Sequence, residues 1–250
     1  MTAVLLSIVS ITRNDAIGIQ RTLDSLETFV AQGGAAVEVI VVDGSDSDSP
    51  SVSHQREFEE KNVSLLKQQG RGLYQAMNEG IAASKGQFTW FLNGGDESIA
   101  RWDQLLEHLS SGKADVYLFD YFYRSPGGMK LRRSRTEKYL WHALPTSHQA
   151  MIFSRKNLFD KILYPIELEI SADYGFAAIY KETGARFAVE HTPIAIFDGQ
   201  GLSLVRSREI SSDARKVQTQ ILSKSLPVRL ASAALHFVSR LARKVRQIAK

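Results

Sequence analysis

The segment Gly72–Glu97, GLYQAMNEGIAASKGQFTWFLNGGDE, carries three signals in immediate succession. Leu73 to Ser84 reads as a helix ended by Lys85-Gly86, Gln87 to Leu92 (QFTWFL) as a buried strand, and Asn93-Gly94-Gly95-Asp96-Glu97 as an abrupt polar turn. Upstream, Gly70 and Gly72 punctuate the chain and Val63 to Lys67 has the length of a short strand. A helix is expected around Val52 to Lys61, after the Ser/Asp loop DGSDSDSPS, in which Asp46 and Asp48 suit helix capping. Val37 to Val42 (VEVIVV) and Leu5 to Thr12 (LLSIVSIT) are continuous apolar, β-branched runs of the kind buried on both faces of a parallel sheet. Between them, Asn14-Asp15 caps a helix whose stripe of Ile17, Leu23, Leu26 and Val30 ends before Gly33-Gly34. Strands alternating with helices at this spacing predict right-handed βαβ crossovers and a mostly parallel sheet. Ligands of such sheets bind at the carboxyl ends of the strands, where Arg13, Asn14, Asp43, Asp46 and Asp96 fall.

Downstream, the pattern is mixed. It predicts a helix at Trp102–Ser110, a strand at Val116–Tyr123, a hairpin through Pro126-Gly127-Gly128 and a strand at Gln149–Phe153. A helix at Ala172–Glu182 and two further strands, Arg186–Val189 and Ile194–Phe197, complete the expected core. Neither an internal repeat nor a low-complexity linker interrupts the chain. The expected organisation is therefore one α/β domain over residues 1–205 with a helical extension over 206–250.

With 250 residues, 44% of them hydrophobic and 23% charged, the chain can bury a substantial core and falls outside the disordered and fibrous classes. The absence of cysteine excludes a disulfide framework, a thiolate metal site and a cysteine nucleophile. The apolar run from Met1 to Thr12 is about half of what spans a bilayer and has no basic residues in front of it, so a cytoplasmic protein is expected. The net charge of +4 invites a nucleic-acid partner, but its distribution argues against one. Residues 228–250 hold six basic residues and no acid, Arg124–Lys138 is a local +5, and everything else amounts to −7. No nucleic-acid partner is expected for such an acidic body.

Missing motifs argue against hydride transfer, P-loop hydrolysis, zinc proteolysis and serine hydrolysis. Gly70-Arg71-Gly72 lacks the third glycine of a dinucleotide fingerprint, no glycine-rich loop ends in Lys-Ser/Thr, and neither His-Glu-x-x-His nor Gly-x-Ser-x-Gly occurs. What remains is carboxylates at strand ends among small residues. Asp43-Gly44 suits a planar base or a ribose diol, and Asp96 in its glycine turn suits Mg²⁺ or Mn²⁺ bridging to a diphosphate.

The motifs SIVSITRND, VIVVDGSDSDS, Gly72–Glu97, SHQAMIF and ISADYGF, in this order, resemble a family 2 glycosyltransferase of the GT-A fold over roughly residues 4–203. The nearest resemblance is to transferases of bacterial exopolysaccharide assembly, such as colanic acid enzymes. It implies inverting transfer of a sugar from a nucleotide-sugar to a hydroxyl of a saccharide or lipid-linked saccharide acceptor. Residues 1–100 would form the nucleotide-sugar half and 101–205 the acceptor half. Asp43 matches the base- or ribose-binding aspartate, while Ser10, Thr12, Arg13 and Asn14 line the loop beside the nucleotide. Arg71, Asn78 and Asn93 complete the expected donor contacts, with Arg71 also aiding the departing diphosphate. Asn93–Asp96 stands in the place of the metal-binding Asp-x-Asp, with Asp96 as the carboxylate for Mn²⁺ or Mg²⁺, and Asp173 stands in the place of the catalytic base. Glu167 and Glu169 are the fallback bases. His148 and Gln149 match a His-Gln pair that either contacts acceptor or diphosphate or serves the structure alone. The chain departs from the pattern at Gly70, Gln75, Asn93 and Gly95, where carboxylates are common, which weakens the metal site.

Beyond Pro227, Ala231, Ala234, Val238, Leu241, Val245 and Ile248 recur at spacings of 3, 4, 3, 4 and 3, flanked by Arg240, Arg243 and Lys244. This basic amphipathic helix, 228–250, suits a membrane surface, a partner helix or the chain's own domain. With a lipid-linked acceptor, an anionic membrane surface at the inner face of the cell membrane is the expected partner. The alternatives are a nucleotidyltransferase and a non-catalytic nucleotide-sugar-binding or membrane-scaffold protein.

Overall fold

A computed structural model describes residues 3–46, 62–125, 127–156, 160–198 and 207–248. Asp48 and the helix expected around Val52–Lys61 lie outside the described residues. In chain order the elements are β1 (Leu6–Thr12), α1 (Ala16–Gly33), β2 (Val37–Asp43), β3 (Val63–Lys67), α2 (Leu73–Ala83), β4 (Phe88–Phe91) and β5 (Glu97–Ser98). They continue with α3 (Trp102–Ser110), β6 (Val116–Ser125), β7 (Gly128–Arg132), β8 (Met151–Ser154), α4 (Ala172–Glu182), β9 (Phe187–Asp198), α5 (Ser207–Lys216) and α6 (Leu226–Ile248).

One sheet runs β3-β2-β1-β4-β8-β6-β9-β5, with β7 added to β6. β1 is buried along its whole length because it pairs in parallel with β2 on one side and β4 on the other, between two helix layers. Its alternate residues divide between two cores. Val9 and Ile11 join Met77 of α2, Phe153 and Phe176 of α4. Leu6 and Ile8 join Leu26 and Phe29 of α1, Trp90 and Trp102 of α3. The chain leaves β1 toward β2 and β3 and then returns to β4 on the opposite side, so the strand order switches direction at β1. At such a switch the connections diverge and leave a crevice at the strand ends.

The downstream half is antiparallel where β8 lies between β4 and β6, and parallel again where β6 meets β9. A 3₁₀ turn, His148–Ala150, occupies the start of the strand expected from Gln149. The two strands expected at Arg186–Val189 and Ile194–Phe197 are one strand, β9, whose register slips opposite Asp120. Pro193 stands at that slip, where a residue without an N–H costs no ladder bond.

The C-terminal extension is partly integrated into the domain. Ala214, Val217 and Leu222 enter the core beside α4. The buried Ser232 of α6 meets His142 Nδ1 at 2.8 Å and accepts from Gln218 Nε2 at 2.7 Å. On the other side of α6, Leu226, Leu230, Phe237, Val238 and Leu241 are each 54–61% exposed. No described helix is long and apolar enough to cross a membrane.

Candidate active site

The turn after β4 is held between α1 and β1. Its Gly95 amide donates to Gly18 O and to Thr22 Oγ1, both at 3.0 Å, and Thr22 Oγ1 donates to Asp96 O at 2.7 Å. Gly94 lies so close to β1 that a Cβ would sit 3.2 Å from Ile11 O. Gly95 adopts φ +98°, a conformation that side chains resist. Gly95→Ala is expected to cost about 1–2 kcal/mol of stability, measured by denaturant unfolding, and to displace Asp96.

Asp96 is almost completely buried. Its Oδ2 accepts from Gln149 Nε2 at 2.8 Å and its Oδ1 from the Asp198 amide at 3.0 Å. Burial pushes its pKa up to about 7 against the pull of those two hydrogen bonds, with the charges of Asp198 and Glu97 adding to the rise. Gln149 is itself fixed, since Ser147 Oγ donates to its Oε1 and its backbone carbonyl accepts from Trp90 Nε1 at 2.7 Å. Beside them Asn93 Oδ1 is buried, with no hydrogen-bond partner among the described residues.

Asp173 faces the same space from the first turn of α4. Its Oδ1 accepts from the Tyr174 amide at 2.8 Å, and burial, reinforced by the charge of Asp213, pushes its pKa up to about 6. Tyr74 and Tyr164 stack 5.7 Å apart nearby, and burial together with the Asp173 charge raises both phenols. Asp213 of α5 fixes the approach to α4, accepting from the amides of Ile170 and Ser171 at 2.9 and 3.2 Å. His148 stacks on Phe91 with centroids 5.1 Å apart, and its Nε2 meets the Tyr164 hydroxyl. Burial lowers its pKa to about 3, so at neutral pH the imidazole is uncharged.

These groups surround one cavity of about 490 Å³, on whose wall lie Asn93, Asp96, His148, Gln149 and Asp173. Other expected residues form a neighbouring polar cluster at the ends of β1 and β2. Asp43 Oδ1 accepts from the Ser45 amide at 2.8 Å, and Ser45 Oγ in turn accepts from the Asn14 amide at 2.7 Å. The Asn14 side chain exchanges two hydrogen bonds with Asp46, and Arg13 lies 3.7 Å from the same carboxylate with both partners exposed. Thr12 Oγ1 donates to Asp15 O at 3.3 Å, and Ser10 Oγ is buried.

Four expected residues stand elsewhere. Both ends of the Asn78 amide are taken by the backbone of Tyr164, at 2.8 and 3.1 Å, so Asn78 clamps the segment that supports His148 rather than lining the cavity. Arg71 is exposed and off the cavity wall, as are Glu167 and Glu169. Conversely, Asp15, Phe197 and Asp198 line the cavity and were not foreseen. Asp198-Gly199 repeats the strand-end Asp-Gly signal of Asp43-Gly44 and was open to the same inference.

A hard divalent cation takes about six or more oxygen ligands. Among the described residues no three His, Cys, Asp or Glu side chains gather to hold one. The donors present are nevertheless of the right kind: the orphaned Asn93 Oδ1 is a buried acceptor beside Asp96 at the turn. Mn²⁺ or Mg²⁺ fits there if diphosphate oxygens and water supply the rest of its shell.

Comparison with known proteins places this geometry. The chain is 34% identical over 90 residues to an uncharacterised glycosyltransferase of Mycobacterium tuberculosis, covering 36% of this chain and 33% of that protein. It thus spans about a third of the length of the curated relatives it matches. Among solved structures, residues 1–349 of Staphylococcus aureus TarS superpose with a TM-score of 0.64 at 18% identity, over 94% of this chain and 71% of that one. A mannosyltransferase of Pyrobaculum calidifontis, in complex with GDP-mannose and Mn²⁺, superposes with a TM-score of 0.65 at 16% identity, over 97% of this chain and 76% of that one. Both share the GT-A arrangement of sheet and flanking helices. The model of the family described as glycosyl transferase family 2 matches residues 7–180, from β1 through nearly all of α4 and including both Asp96 and Asp173, and the chain belongs to that family.

Proposed function

We propose that the protein transfers a sugar from a nucleoside diphosphate sugar to an acceptor hydroxyl with inversion at the anomeric carbon. The observation that carries this proposal is the pairing of two carboxylates, the buried Asp96 and the half-buried Asp173, on the wall of one cavity at the crevice where the strand order switches. Single displacement needs a base for the attacking hydroxyl and a countercharge for the departing diphosphate. Asp173 takes the proton. Its pKa of about 6 leaves it mostly ionised at neutral pH yet more basic than an exposed aspartate. Asn93 and Asp96 would hold Mn²⁺ or Mg²⁺, which when bound offsets charge on the diphosphate. Asp43, with Asn14 and Ser45 around it, suits recognition of the nucleoside. UDP-GlcNAc, bound by a TarS structure, and GDP-mannose, bound by the Pyrobaculum enzyme, are the donor classes to test first.

Slow donor hydrolysis without acceptor, stimulated by Mn²⁺ or Mg²⁺ and dependent on Asp96, tests this assignment. A panel of nucleotide sugars that neither is hydrolysed nor shifts the melting temperature would refute it. A donor at 100 times its Kd stabilises the fold by about 2.7 kcal/mol, which such a screen resolves.

The pH profile identifies the base. An acid that must be ionised to act loses activity as pH falls, so with Mn²⁺ saturating, which keeps Asp96 ionised, kcat should drop tenfold per unit below about pH 6, where Asp173 protonates. His148, neutral down to about pH 3, does not contribute that limb. The same limb in a His148→Gln variant is the expected result, and its disappearance would transfer the role to the imidazole.

The acceptor assigned is a lipid-linked saccharide in surface polysaccharide synthesis, reached with α6 lying on the inner face of the cell membrane. The support is the exposed face of Leu226, Leu230, Phe237, Val238 and Leu241, on a helix whose sequence holds six basic residues and no acid after Val228. Basic residues near an anionic surface contribute about 1 kcal/mol each, and apolar side chains add about 1.5–3 kcal/mol when buried. Phe237→Glu with Leu241→Glu is expected to reduce binding to phosphatidylglycerol vesicles at least tenfold in a flotation assay. Unchanged flotation would remove the membrane from the proposal.

A further inference from the structure

The basic stretch after Arg124 has no place in the donor site, yet its geometry is specific. β7 is exposed at all five residues and pairs with the outer half of β6, which on its other edge pairs with β9. The register sets Lys130 beside Tyr123 beside Phe197, and Arg132 beside Tyr121 beside Ala195. Residues paired across strands share a face, so one side of this three-stranded tongue carries two cations, two tyrosines and a phenylalanine.

The rings are organised. Tyr123 and Phe197 have centroids 6.0 Å apart, and the Arg132 guanidinium lies 5.7 Å from the centre of the Tyr123 ring. Burial raises the Tyr121 phenol, against the pull of the Arg132 and Arg135 charges. On the opposite face the basic residue is already satisfied, because Arg124 pairs with Glu97. Lys130 and Arg132 have tyrosines as cross-strand neighbours instead of carboxylates. The patch is also continuous with the catalytic space, since Phe197 lines the same cavity as Asp173.

We infer that this face is the acceptor platform and that the acceptor is a saccharide bearing carboxylate groups, one sugar ring lying on Tyr123 and Phe197 while its carboxylate meets Lys130 and Arg132. Aromatic rings present flat apolar faces that complement the C–H faces of a pyranose, and a guanidinium fork matches a carboxylate. Neighbouring strands are about 4.8 Å apart, so ring and cation on adjacent strands serve a single sugar residue. This spacing favours an acidic sugar over the phosphate of a phosphatidylglycerol headgroup, which has no ring to place beside its charge. The inference rests on the transferase assignment and names the substrate class of the same site.

The test uses the full chain on an array of uronic-acid-containing oligosaccharides, each printed beside its carboxyl-reduced counterpart. Acidic members should bind about tenfold more tightly, as expected for a charge-assisted hydrogen-bonded pair, with the preference fading as salt rises. Lys130→Ala with Arg132→Ala should abolish the preference, and Tyr123→Ala should weaken binding to both members of each pair. All three positions lie outside the core, and an unchanged melting temperature verifies folding. Equal binding to acidic and reduced glycans, or a preference that survives in the double variant, would overturn the inference. So would a double variant that keeps its glycan preference and loses binding to phosphatidylglycerol vesicles, which would make the patch a membrane contact. Nucleotide-sugar binding measured on the same samples separates the two levels: its absence in the wild type removes the transferase assignment, whereas the glycan preference reports on the platform alone.

Discussion

Asp173→Asn is expected to lower kcat for transfer by about 10²–10⁴-fold while leaving donor affinity nearly unchanged, because a general base acts on the attacking hydroxyl in the transition state and not on the bound nucleotide. A carboxylate in the first turn of a helix invites a structural explanation, since it favours the positive end of the helix dipole by about 0.3–1 kcal/mol. The two explanations predict opposite changes in stability. Burial has raised the Asp173 pKa from 3.8 to about 6, so the fold favours the protonated acid. That contribution is complete below the unfolded-state value and is lost as pH rises through about 6. At pH 8 the asparagine variant should therefore be at least as stable as the wild type. A dipole-stabilising carboxylate would instead leave the variant less stable. Impaired transfer, an unchanged donor Kd by calorimetry and an undiminished melting temperature together identify a catalytic base. Full transfer activity in the variant would remove Asp173 from the mechanism.

Asp96→Ala should have an effect of comparable size for a different reason. The side chain joins two partners brought from distant parts of the chain, Gln149 Nε2 and the Asp198 amide, and lies beside the orphaned Asn93 carbonyl. Loss of countercharge at the diphosphate is expected to cost about 10²–10³-fold in both transfer and donor hydrolysis, as when one preorganised stabilising group is deleted. Two buried donors also lose their acceptor, which costs about 1–3 kcal/mol each in stability. Asp96→Asn separates the two effects. An asparagine can still accept a hydrogen bond, so much of the stability should return. It carries no charge, so stimulation by Mn²⁺ or Mg²⁺ should not. A variant that regains full metal-stimulated hydrolysis with asparagine would show that the carboxylate charge is not used.

The parts of the fold that were legible in the sequence are those whose signal is local. β1, β2 and β4 are continuous apolar runs, α2 ends at Ala83, just before the expected stop at Lys85-Gly86, and α4 spans the expected Ala172–Glu182. β9 was misread as two strands because Pro193 and the polar residues before it look like a break. Only its partner β6, with a slip at Asp120, carries the strand through. In the site, Asp96 and Asp173 stood out through a glycine turn and a family resemblance. Asn78 was misassigned on the same grounds, since nothing local shows that both ends of its amide are occupied by a residue 86 positions away. Asp213 was invisible, because its role in holding the start of α4 arises only when α5 packs back onto the domain.

The sequence by itself determined the alternation of strands and helices, hence the parallel half of the sheet and the strand ends at which polar residues collect. Hydrophobic periodicity and turn chemistry act over a few residues and need no knowledge of distant partners. The tertiary structure alone decided which polar residues share a cavity. Asp96, Gln149, Asp173 and Asp198 are separated by up to 102 positions in the chain and become neighbours only through strand order. It also decided their protonation, because a carboxylate's pKa depends on how much water the packed fold excludes from it and on which donors that packing brings within reach.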